Sequence, residues 1–88
     1  MNFAIAWHGI AFTEMDFIVS NHPEHKDELA NALRVMTQAL RTDANTVGES
    51  RGEGVRIAFF DPLVVDFHVA AADRRVQILS VRLRTLLF

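Results

Sequence analysis

The chain has 88 residues, half of them apolar, a formal net charge of −2 and no cysteine. That length supports one domain with a small core, and the missing cysteines exclude disulfide scaffolds and cysteine-based zinc sites, so a cytoplasmic address is expected. The negative balance excludes binding to nucleic acid by bulk attraction, and any anion site has to be a local patch.

The chain opens without a basic leader region, and His8, Thr13, Glu14 and Asp16 interrupt its apolar start, so no signal peptide is expected. No stretch reaches the roughly 18 apolar residues of a membrane span. Asn2 to Trp7 alternates, with Phe3, Ile5 and Trp7 on one face and Ala4 and Ala6 on the other, which predicts a strand. Ala11, Met15 and Ile18 then fall at spacings of four and three, a helical stripe. Ser20 to Pro23 interrupts it. Asn21 or His22 is placed to cap a second helix, with Pro23 in its first turn and Glu24, Asp27 and Glu28 near its positive end. Leu29, Leu33, Met36 and Leu40 form the apolar seam of that helix, and Arg34 and Arg41 lie off it. The short connection predicts an antiparallel helical hairpin.

Thr42 to Gly54 is expected to be a polar loop. Val55 to Phe60 predicts a strand with Val55, Ile57 and Phe59 on its bulky side and Arg56 opposite. Asp61-Pro62 predicts a tight turn. Leu63 to Val69 alternates strictly, with Leu63, Val65, Phe67 and Val69 inward and Val64, Asp66 and His68 outward. The last strand runs from Val76 to Leu83, with Ile78, Ser80, Arg82 and Arg84 expected on one side. The order is β-α-α-β-β-β. The expected fold over 1–88 is α+β, a four-stranded antiparallel sheet packed against the helical hairpin.

This series resembles the RelE/ParE toxin superfamily of type II toxin–antitoxin systems. The resemblance is carried by Trp7 closing the first strand, by Ala11, Met15 and Ile18, and by Gly48-Glu49-Ser50 before "GEGVR". The Pro62-Leu63 turn, the Val65, Phe67, Val69 strand and the closing "VQILSV" complete it. It implies a compact bacterial toxin, acting in growth inhibition and plasmid stabilisation and neutralised by a cognate antitoxin. RelE-like members cleave messenger RNA on the ribosome, and ParE-like members poison DNA gyrase without a nuclease site. No cofactor and no metal are implied.

For a RelE-like reading the resemblance points to Arg56, His68 and Arg84 as catalytic groups. Such a site needs cations at the phosphate and a group that moves protons. Arg51, Arg82 and Arg84 are the candidates for target or phosphate binding. The alternative for all of them is the wet face of a one-sided sheet. The chain departs from the nuclease pattern in having no tyrosine, in carrying Val64 and Asp66 where a basic group is common, and in its negative charge. The preferred reading is therefore a growth inhibitor that binds a large target of the gyrase type. Ribosome-dependent mRNA cleavage and a decayed, non-toxic binding module of the same fold are the alternatives. Phe12 and Phe17 lie off the first helical stripe and are either extra core or a surface for the antitoxin or a second copy of the chain. His22 and His25, three apart beside Glu24 and Glu28, are read as a helix-capping region rather than a metal site. Gly52-x-Gly54 is too short for a phosphate cradle, and Glu49 with Arg51 reads as a surface ion pair.

Overall fold

A computed structural model describes residues 2–84. Position 1 and positions 85–88 of the expected domain lie outside the described residues. The elements are β1 (Ala4–Trp7), α1 (Gly9–Asn21), a 3-10 turn (Pro23–His25), α2 (Lys26–Asp43), β2 (Glu49–Gly52), β3 (Val55–Phe60), β4 (Leu63–Ala70), a second 3-10 turn (Ala71–Asp73) and β5 (Arg75–Leu83). They form one sheet in the order β1-β5-β4-β3-β2, with both helices on one face.

The helices form as their stripes predict. His8 caps α1, its Nδ1 accepting from the Ile10 N–H at 3.1 Å, and Ala11, Met15 and Ile18 are buried. In α2 the buried seam is Leu29, Ala32, Met36 and Leu40. Leu33, expected in the seam, is only half-buried: Leu29, Met36 and Leu40 stay in the buried stripe, which leans slightly toward Ala32 and leaves Leu33 at its edge. The core closes against Leu63, Val65 and Phe67 of β4 and Val76, Ile78 and Val81 of β5, all buried. No described helix is long and apolar enough to cross a membrane.

Three expectations are corrected. The sheet has five strands, not four, since Glu49–Gly52 pairs with β3 instead of forming a loop, and β1 runs parallel to β5, so the sheet is mixed. Every residue of β2 is exposed, so no alternation marks it in the sequence. The faces of β3 are also reversed. Ala58 is buried while Phe59 is 63% exposed. The cause is the Gly48 segment, which crosses the helix side of β3 so closely that a Cβ on Gly48 would lie 2.8 Å from that of Ala58. Only a small residue fits inward there, and Ile57 and Phe59 turn outward. Finally, β5 carries a bulge: Ser80 pairs with Asp66 but Ile78 with Phe67, leaving Leu79 as the extra residue. Ile78 therefore faces the core and does not share a side with Ser80 and Arg82.

Candidate functional site

The open face of the sheet, away from the helices, gathers most of the sequence candidates. Cross-strand pairing places Phe59, Val64 and Arg82 in one row, Ile57, Asp66 and Ser80 in the next, and Val55, His68 and Gln77 in a third. Directly opposed residues share a face, so these nine side chains, read from the pairing rows, all project to the same side.

Each of the three arginines expected to bind target or phosphate meets a carboxylate. Arg82 Nη1 donates to Asp66 Oδ2 at 2.7 Å and to Ser80 Oγ at 3.1 Å, and its Nη2 reaches Asp66 Oδ1 at 3.5 Å. This two-point contact suits the planar fork of a guanidinium. The Arg82 pKa is raised above its ordinary value, chiefly by the Asp66 hydrogen bond; partial burial opposes this, and the charges of Asp66 and Glu14 add to it. Glu14 comes from α1, where its Oε1 accepts the Val81 N–H at 2.9 Å. Arg84 Nη1 donates to Asp61 Oδ1 at 2.8 Å, and its guanidinium lies 5.3 Å from the centre of the Phe59 ring, within cation–π range. Arg51 lies 3.5 Å from Glu49. At the Arg82–Arg84 end of the face the two cations are thus met by the carboxylates of Asp66 and Asp61. A phosphate arriving there meets a neutralised surface.

The candidate catalytic groups are not brought together. Arg56 pairs across from the fully buried Phe67, so it projects to the helix side, opposite to His68. It donates from Nε to Val47 O at 2.8 Å and from Nη2 to Gly48 O at 3.0 Å, and so pins the segment between α2 and β2. His68 is on the open face, four residues along β4 from Val64, the partner of Arg82, a separation of about 13 Å at strand rise. Its neighbours are Gln77, Arg75 and Asp73, which together with Ala6, Ala70 and Val76 line a small pocket. Sequence reasoning had no reason to join these residues, since the pairing of β1 with β5 was not expected.

Phe12 and Phe17 are 65% and 66% exposed, which leaves them outside the core. They lie on different flanks of α1. Phe12 lines an apolar groove with Trp7, Met15, Asp16, Val19 and Leu33, while Phe17 shares the other flank with the exposed Ile10, seven residues away. His25 Nδ1 lies 3.1 Å from Glu28 Oε1 at the hairpin turn, and no described set of three metal-binding side chains is arranged to hold an ion.

No family model and no curated protein matches the sequence. Solved structures do match. The chromosomal ParDE toxin–antitoxin system of P. aeruginosa gives a TM-score of 0.73 at 22% identity, over 93% of this chain and 96% of that one. The toxin–antitoxin complex RelBE2 of Mycobacterium tuberculosis gives 0.74 at 18% identity, over 96% and 93%. The archaeal RelE–RelB complex of Pyrococcus horikoshii gives 0.71 at 16% identity, over 98% and 99%. The chain has the RelE/ParE toxin fold.

Proposed function

We propose that this chain is the toxin subunit of a bacterial type II toxin–antitoxin pair, acting in the cytoplasm by binding a large target of the gyrase type and neutralised by a cognate antitoxin. The fold supports the toxin reading, since its solved neighbours are toxin–antitoxin systems and complexes. The observation that carries the mode of action is the pairing of Arg82 with Asp66 and Arg84 with Asp61. A nuclease needs those cations free for the scissile phosphate. Here each has a carboxylate beside it that opposes a phosphate by charge, Arg56 lies on the other face, and the chain has no tyrosine. The same face instead offers Phe59, with the half-buried Ile57 and Val64 beside it, a mixed apolar and charged surface suited to a protein partner. The groove of Trp7, Phe12, Met15, Val19 and Leu33 is the place for an antitoxin segment that folds as it binds.

Two assays on the purified chain test this: supercoiling by DNA gyrase, and cleavage of messenger RNA on programmed ribosomes. Inhibition of supercoiling with intact mRNA is expected. Cleavage at the ribosome with unaffected supercoiling would replace this reading with the endoribonuclease one.

A further inference from the structure

The open face has a second end that the toxin reading does not use. There β1, β5 and β4 lie side by side, with Ala4 and Ala70 flanking Arg75 and with Ala6 and His68 flanking Gln77. The alanines leave a depression around the longer side chains. Its walls are His68, Asp73, Arg75 and Gln77, and its volume is about 220 Å³. Drug-sized ligands occupy about 300–1,000 Å³, so this pocket holds one end of a small molecule.

Among the described residues Arg75 forms no ion pair, in contrast to Arg51, Arg82 and Arg84 on the same sheet. His68 and Gln77 have no side-chain hydrogen bond among those described, and the His68 ring is backed by Gly54, where an added Cβ would lie 2.9 Å from Nε2. A guanidinium and an imidazole lining one pocket suit a phosphate. A carboxylate and a carboxamide in the same lining suit hydroxyl groups close to that phosphate.

We propose that Arg75, His68, Gln77 and Asp73 form a binding pocket for the sugar-phosphate end of a small metabolite or nucleotide. Arg75 and His68 hold the phosphate, and Asp73 and Gln77 hold the sugar hydroxyls. The pocket stands apart from the Arg82–Arg84 end, and the proposal is independent of whether the chain inhibits gyrase.

Amide chemical shifts of the isotope-labelled chain, titrated in separate arms with ribose 5-phosphate, adenosine monophosphate, inorganic phosphate and adenosine, test it. Saturable shifts at His68, Arg75 and Gln77 are expected with the first two, weaker binding with phosphate and none with adenosine. Equal binding of the first two identifies a free sugar phosphate as sufficient, and tighter binding of the nucleotide shows that the base contributes. Arg75→Gln should weaken binding about 10-fold or more, and Arg84→Gln should leave it unchanged. No saturable shift with either sugar phosphate, undiminished binding by Arg75→Gln, or inorganic phosphate binding as tightly as ribose 5-phosphate would overturn it.

Discussion

Arg84 and Arg56 have opposite roles although both are arginines beside a strand end. Arg84 is half-buried, paired with the 73%-exposed Asp61 side chain and laid against Phe59. Surface pairs of this kind contribute about 0–1 kcal/mol, so Arg84→Ala should leave the melting temperature nearly unchanged. It should still weaken growth inhibition, because it strips the cover from Phe59 and leaves Asp61 unbalanced. Arg84→Lys should restore inhibition only in part, since an ammonium cannot lie flat on the ring. Thermal melts and colony growth on induction measure the two effects. Arg56 holds two backbone carbonyls. Arg56→Ala should cost about 1.5–3 kcal/mol in urea melts and leave the open face unaltered; a loss of inhibition without destabilisation would contradict this assignment. The sequence placed His68, Asp66 and Val64 correctly, because β4 alternates strictly between bulky and polar residues. It misplaced Arg56 because Val55, Ile57 and Phe59 look like a core face, and nothing in their own strand reveals the Gly48 segment lying against Ala58.

At the scale of elements, α2 and β2 differ in how far their sequences speak for them. Met36 is fully buried, and Met36→Ala should cost about 2–5 kcal/mol by loss of packing and the cavity left behind. Leu33 borders the groove and should cost less than Met36, and Arg34, exposed and bonded to its helix neighbour Asn31, about 0.5 kcal/mol or less. Urea melts of the three variants give the ranking; equal losses at Arg34 and Met36 would place the wrong face of α2 on the sheet. The apolar stripe locates the helix and the centre of its buried face but not the edge of that face, because Ala32 and Leu33 are both apolar. In β2 the information lies in the backbone. Gly48 has φ of +73°, and a Cβ there would sit 2.2 Å from the Ile57 carbonyl oxygen. Gly48→Ala should therefore destabilise the hairpin of β2 and β3 more than any surface substitution on α2, as hydrogen exchange of the β3 amides would show. The bulge at Leu79 is legible only in retrospect: adjacent Ile78 and Leu79 break the alternation, and the pairing of Asp66 with Ser80 shows where the phase changes.

For the whole molecule, the order of elements was readable from apolar periods and turn residues, and with it the RelE/ParE fold. The parallel contact of β1 with β5 was not, since it joins the two ends of the chain and leaves no local signal. The distribution of charge was likewise hidden. The sequence shows two arginines near its end, but only the folded sheet brings Asp61 and Asp66 onto them. The resulting molecule has an open face that is neutralised and partly apolar at its Arg82–Arg84 end and, behind the sheet, a helix pair with an apolar groove containing Phe12. Phe12→Asp should weaken capture of an antitoxin at least about 10-fold, the effect of losing one good apolar anchor, while leaving the fold intact because Phe12 is 65% exposed. Co-purification with the partner and the melting curve of the variant read these separately. The central claim, that this chain is a toxin held in check by a partner, is met most directly by colony counts of a bacterial host after induction. The chain is induced alone or together with the product of the neighbouring reading frame. Arrest by the chain alone and recovery with the neighbour are predicted; normal growth with the chain alone, or arrest that the neighbour leaves untouched, would contradict the account.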